Sequence, residues 1–242
     1  IGGIIASDFF EKPIKIITIF SKSNYAPCTK LDNFESISVK RNIEENKYAE
    51  VIGAKLDILQ FPDSSLRGYD KDQLDDFKDF SELLSDSISV DVYNSLSKVL
   101  EVHPEADIIC PLGIGNHIDH LLVHYICTRI CSENNRRIIY YEDLPYAVNL
   151  TLKEIRQRVE SIYRKYKFEI KPCKINITDK FSYKANNLRI HESQVCNDKD
   201  IFKLKVHSAR MGIKQENLMD IVWEYPALKY LFKNYYIRSN LK

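Results

Sequence analysis

Four short runs of β-branched and apolar residues, separated by stretches long enough to hold a helix, constrain this chain more than any other feature. They are Ile14-Lys-Ile-Ile-Thr-Ile-Phe20, Lys55 to Gln60, Asp107-Ile-Ile-Cys110 and Arg137-Ile-Ile-Tyr-Tyr141. Runs with so little polar interruption suit strands buried on both faces. The intervening pattern predicts helices over 36–53, 71–101 and 118–133, the first stopped by Gly53. Residues 1–11 read as the end of a helix, broken by Pro13. After Tyr141 come a loop with Pro145, a helix, a strand around 167–177, and helices to the end. Strands alternating with helices at this spacing imply an α/β, three-layer sandwich on a mostly parallel sheet. The expectation is a single domain over 1–242, with 196–242 as its helical C-terminal extension.

Composition narrows the partners. Thirty-five Lys and Arg against 34 Asp and Glu leave a net charge of +1. A general nucleic-acid binder would carry a basic excess, so no nucleic-acid partner is expected. No apolar run approaches the roughly 18–20 residues of a membrane span, and no membrane partner is expected either. Ile1-Gly-Gly-Ile-Ile-Ala6 lacks the basic start of a signal peptide. Six scattered cysteines without a CxxC pair read as reduced thiols, and a cytoplasmic location follows as the expectation.

Ligands of parallel α/β sheets gather beyond the carboxyl ends of the strands. The richest loop there is Pro111-Leu-Gly-Ile-Gly-Asn-His-Ile-Asp-His120, which follows a strand and opens a helix. Two histidines flank an aspartate within four residues; a neutral imidazole can ligate zinc, and a carboxylate can orient an imidazole. Other motifs fail. Gly113-x-Gly115 is followed by Ile118 where a dinucleotide fingerprint needs glycine. His120 and His124 have the spacing of a helical zinc pair, but Leu121 stands where a metalloprotease carries its glutamate base. His103-Pro-Glu-Ala-Asp107 precedes a strand rather than following one.

The 111–120 segment, followed by Tyr140-Tyr-Glu-Asp-Leu-Pro-Tyr146, resembles the PIG-L/LmbE family of zinc-dependent N-acetylsugar deacetylases. Ile1-Gly-Gly-Ile-Ile-Ala6, Thr18-Ile-Phe-Ser21, Arg41-x-x-Glu44-Glu45, Phe61-Pro-Asp-Ser-Ser-Leu-Arg67, Lys184-Ala185 and Ser193-Gln194 match other family segments in order. The resemblance implies a Rossmann-like, LmbE-like fold and a Zn2+ cofactor, or another divalent metal, with His120 as a ligand. His117 would stabilise the oxyanion or protonate the leaving amine, tuned by Asp119. Arg67 would hold the sugar or an attached anion, with Asp63 supporting its loop. Glu142 and Asp143 would line the site or serve as structural hydrogen-bonding groups. Tyr69 and Tyr146 fall in the same loops and are candidates to stack on a sugar. Zinc lowers the pKa of bound water to roughly 7, which suits attack on an amide.

The family's first metal motif, His-x-Asp-Asp, does not occur in these 242 residues. It would lie a few residues before Ile1, and with it the first, central strand of the sheet. The expectation is therefore a metal-dependent N-deacetylase acting on a small amino-sugar substrate or sugar conjugate. A non-catalytic carbohydrate- or nucleotide-sugar-binding protein on the same fold is the alternative. Trp223, Tyr225, Leu228, Tyr230, Leu231 and Phe232 read as core packing, with homo-oligomerisation the other use of such a segment.

Overall fold

Each apolar run forms a strand. A computed structural model describes residues 2–7, 9–10, 13–69, 88–212, 217–224 and 235–240. In chain order the main elements are α1 (Gly2–Ala6), β1 (Ile14–Lys22), α2 (Phe34–Ile52), β2 (Lys55–Pro62), α3 (Ile88–Glu101), β3 (Ala106–Pro111), α4 (Ile118–Glu133) and β4 (Ile138–Tyr141). They continue with α5 (Leu152–Tyr166), β5 (Lys171–Asn176), α6 (Phe181–Leu188), α7 (Asp198–Arg210), β6 (Met219–Glu224) and β7 (Tyr235–Asn240). Of the expected helix over 71–101, residues 71–87 lie outside the described residues, as do Tyr225, Leu228, Tyr230, Leu231 and Phe232.

The sheet has seven strands in the order β2-β1-β7-β3-β4-β6-β5. Neighbours from β2 to β4 pair in parallel, and only β6 runs against its neighbours β4 and β5. Side chains of successive strand residues separate to opposite faces. Ile108, Cys110, Ile138 and Tyr140 pack into one core with helices α3, α4 and α5. Ile109, Ile139 and Tyr141 pack into the other, with α1, α2, α6 and α7. This is the three-layer arrangement expected, and the unbroken apolar runs are its cause.

The C-terminal region departs from expectation. A helix opens it, but β6 and β7 follow where helices were expected. In β6 the β-branched pair Ile221 and Val222 serves the two cores in turn, which a half-buried helix could not do. Between β1 and β3 stands β7. β7 pairs in parallel with β1 (Ile14↔Tyr236 to Thr18↔Asn240) and with β3 (Ala106↔Tyr235 to Ile109↔Arg238).

β2 carries an extra residue against β1 between Ile58 and Phe61, where Gln60 has φ 60°. Such a bulge turns the strand end, and here it feeds the 63–67 loop.

The cysteine expectation is also corrected. Cys28 and Cys196 form a disulfide with Cα atoms 5.0 Å apart across 168 positions of sequence. Nothing in the spacing of the cysteines marks such a pair, because bonding partners are set by the fold. Cys110, Cys127 and Cys131 are free and buried, and Cys173 is free and half-buried. The bond ties the loop after β1 to the segment after α6, where Cys28 N–H also donates to Ser193 O. Replacing both cysteines by serine is expected to cost about 2–5 kcal/mol of unfolding free energy, measured as a lowered urea midpoint; an unchanged midpoint would contradict it.

A second tie joins α6 and α7 to the sheet. Lys184 of α6 donates to both carboxylate oxygens of Asp220 on β6, at 2.6 and 2.8 Å, and Ser208 of α7 adds a bond at 3.2 Å. Helix α1 rests on this pair through Gly3, whose added Cβ would lie 2.6 Å from Asp220 Oδ2. Burial is the largest single influence and pushes the Asp220 carboxyl up, but the lowering effects, among them the Lys184 charge and the hydrogen bonds from Lys184 and Ser208, together outweigh it, so its pKa lies below the ordinary value. A depressed carboxyl contributes stability that is present above the unfolded pKa of about 4 and is lost as pH falls through the folded value. Asp220→Asn is expected to cost about 3 kcal/mol or more at neutral pH. The gap to the unaltered protein should close as the medium is acidified below about pH 4; a gap independent of pH would refute the assignment.

Candidate active site

Three loops at the carboxyl ends of β2, β3 and β4 build the site. The 111–117 loop after β3 is held by its backbone: Leu112 N–H donates to Tyr141 O, and Ile114 N–H donates to Asp143 Oδ2 at 2.9 Å. Arg158 of α5 donates to Leu112 O at 3.0 Å. Asp143 uses its other oxygen, Oδ1, on His120 Nδ1 at 2.6 Å, with both groups almost fully buried. A carboxylate on Nδ1 fixes the neutral ring with its proton there and its lone pair on Nε2, the arrangement of a metal-ligating histidine.

His117 stands at the N-terminal cap of α4, on the edge of the burial. Its ring centroid lies 5.1 Å from that of His120 and 5.6 Å from that of Tyr146; Tyr146 meets His120 edge-on at 5.2 Å. Tyr146 comes from the short 3-10 turn Tyr146–Asn149 after β4. Gly115 makes this approach possible: it has φ 84°, and an added Cβ would fall 2.7 Å from Tyr146 Cβ. Burial, then His120 and the Arg67 charge, lower the His117 pKa to about 3. The ring is therefore neutral at neutral pH, not the standing imidazolium an oxyanion would favour.

Asp119 was expected to tune His117. The two are 4.0 Å apart, too far for a hydrogen bond, and His117 Nδ1 is buried without one. Asp119 instead pairs with Arg67 through Oδ1 and accepts Ser64 N–H through Oδ2 at 3.1 Å. Arg67 is consequently turned inward, its guanidinium also over the rings of Phe20 and Tyr69. Asp63 supports this loop directly. It accepts Ser65 N–H at 3.0 Å and pairs with Arg41 of α2 at 3.3 Å. Beyond it, Glu44 of α2 accepts Ser193 N–H at 2.9 Å and Ser193 Oγ–H at 2.6 Å. The sequence segments around 41–45, 61–67 and 193–194 are thus one connected support.

Glu142 points away from Asp143 and pairs with His207 of α7 at 2.9 Å. His207 and its neighbour Arg210 carried no signal in the sequence, being ordinary polar positions of an amphipathic helix. Against zinc the donor set is incomplete. His120 fits as an oriented ligand, yet no group of three His, Cys, Asp or Glu side chains able to hold a metal is assembled among the described residues.

Among solved structures the chain is similar to a deacetylase of teicoplanin biosynthesis in complex with teicoplanin, with TM-score 0.68, 14% identity and coverage of 92% of this chain and 91% of that one. It is also similar to the N,N'-diacetylchitobiose deacetylase of Pyrococcus horikoshii, with TM-score 0.60, 16% identity and coverage of 96% and 80%. The fold is thus the LmbE-like α/β sandwich that the sequence resemblance implied. In sequence the chain is 29% identical over 165 residues to the 2'-N-acetylparomamine deacetylase of Streptomyces fradiae, covering 64% of this chain. It spans 58% of that relative's length. No family model matches. Among the described residues no helix is long and apolar enough to cross a membrane.

Removing the Asp119 carboxylate would take from the buried Arg67 the ion pair described above. Asp119→Ala is expected to lower stability by about 3 kcal/mol, and the Asp119→Ala/Arg67→Ala double variant should recover part of that loss. Additive losses in urea unfolding would show that the two side chains do not depend on each other.

Proposed function

We propose that this protein hydrolyses the N-acyl group, acetyl above all, from an amino sugar or a sugar conjugate. The observation that carries the reading is the meeting of His117, His120 and Tyr146 over the Asp143 carboxylate, at the carboxyl ends of an LmbE-like sheet. The Streptomyces fradiae relative, named a 2'-N-acetylparomamine deacetylase, supports an N-acetyl group as the one removed. His120, held by Asp143, is the residue we assign to Zn2+ or another divalent metal. His117, neutral and at the rim, is the group we assign to proton exchange with the reacting amide and the departing amine. Tyr146 packs against both rings and forms the wall a sugar ring would meet. Arg67, paired with Asp119, is the residue we assign to the sugar or an attached anion, and Tyr69 lies against its guanidinium. The disulfide removes the thiol argument for a cytoplasmic location and fits an oxidising compartment.

Binding of an amino sugar without turnover is the second reading. The two are separated by a pair of variants, each assayed for bound zinc and for acetate released from N-acetylated amino sugars. His120→Ala is expected to lose metal and turnover together. His117→Ala is expected to keep its metal and lose turnover by about 100-fold or more. Full turnover by metal-free His120→Ala protein would overturn the hydrolase assignment as stated, and sugar binding with no turnover in the unaltered protein would establish the second reading.

A further inference from the structure

The short turn carrying Tyr146 is held by groups from a distant part of the chain. Arg210, at the end of α7, donates to Leu150 O at 2.8 Å and to Ala147 O at 3.2 Å. It lies 60 positions beyond Leu150 in sequence. Its NH2 is also 2.9 Å from His207 Nδ1. A guanidinium can only donate, so Nδ1 accepts, and the neutral ring must carry its proton on Nε2. That proton faces Glu142 Oε2 at 2.9 Å. Glu142 and Asp143 are adjacent at the end of β4 and turn in opposite directions, one to His207 and the other to His120. The two carbonyls that bracket the end of the Tyr146 turn are therefore referenced to the same strand end that holds His120. On the other side Gly115 leaves no slack, since even a Cβ there would strike Tyr146.

We infer that Arg210 and His207 of α7 are positioning residues that hold the Tyr146 turn, and with it the aromatic wall over His117 and His120. Neither residue touches the site histidines; both act through the backbone of 147–150 and through Glu142. The fork of the guanidinium matters. Three acceptors in different directions are served at once, which a lysine ammonium on a flexible stem does not reproduce. Losing the fork frees the turn to swing Tyr146 off the two rings while the sheet and α7 stay folded. This inference rests on the deacetylase reading for its kinetic consequence and on geometry alone for its structural one.

The test is a double-variant cycle of Arg210→Ala and Tyr146→Ala, with Arg210→Lys as a milder probe should the alanine protein fold poorly. The structural readout is the imidazole proton resonances of His117 and His120, which sense the Tyr146 ring and need no activity. They are expected to move in Arg210→Ala in the same direction as in Tyr146→Ala, and part of the way in Arg210→Lys. The kinetic readout is acetate release. Arg210→Ala is expected to lose on the order of 10-fold or more in kcat from displacement of a site wall. The double variant should be no worse than Tyr146→Ala alone. Resonances unmoved in both Arg210 variants, or losses that add, would overturn the inference. If the unaltered protein releases no acetate, the deacetylase reading fails, and the resonances decide the positioning role by themselves.

Discussion

The carboxylate of Asp143 is the contact on which the site depends. It stands at the end of β4, fully withdrawn from solvent, and makes two bonds that could not be made separately without a second buried charge. One oxygen fixes the 111–117 loop through Ile114 N–H, and the other fixes the tautomer and direction of His120. A buried carboxylate is costly unless its lone pairs are met. Here the groups that meet them are the functional loop and the functional histidine themselves. The loop, its glycines and the start of α4 are thereby referenced to the central sheet and not to solvent.

The same device recurs around the rim. Asp63 takes Arg41 and the turn at Ser65; Asp119 takes Arg67 and Ser64; Glu44 takes Ser193; Glu142 takes His207. Each acid joins an element of the sheet's carboxyl end to a loop or helix that apolar packing alone would leave free to slide. Burying ion pairs contributes little net stability compared with apolar residues of the same shape. Their use here is directional: they set where loops go, while the two apolar cores on either side of the sheet supply the bulk of the driving force. That division explains why removing one partner is expected to be costly although the pair as a whole contributes modestly.

What could be read from the sequence follows from this division. Strands β1 to β4 were legible because a strand buried on both faces must be continuously apolar, and α4 was legible because its start coincides with the His117 loop. The members of the site loops were legible from the resemblance, but their pairing was not. Asp119 and Arg67 were each given a separate duty, whereas the fold makes them partners. A salt bridge between positions 52 apart leaves no local pattern. His207, Arg210 and the Cys28–Cys196 bond were invisible for the same reason, since each is defined only by a neighbour brought from far along the chain.

The C-terminal strands expose a different limit. β6 reads locally as an aromatic, mixed segment; its strand character comes from the vacancy between β4 and β5, which an antiparallel segment can fill on both faces. β7 makes the point more strongly. A doubly wound sheet needs a strand between β1 and β3, because two central edges with unpaired N–H and C=O groups would otherwise be buried without partners. Tyr235–Asn240 meets that need from the far end of the sequence, running parallel to both neighbours. The demand is a property of the sheet and not of any segment. It is satisfied by whatever stretch of suitable β propensity can reach the slot in the right direction, so order along the chain is a weaker guide to place in the sheet than the sheet's own hydrogen bonds.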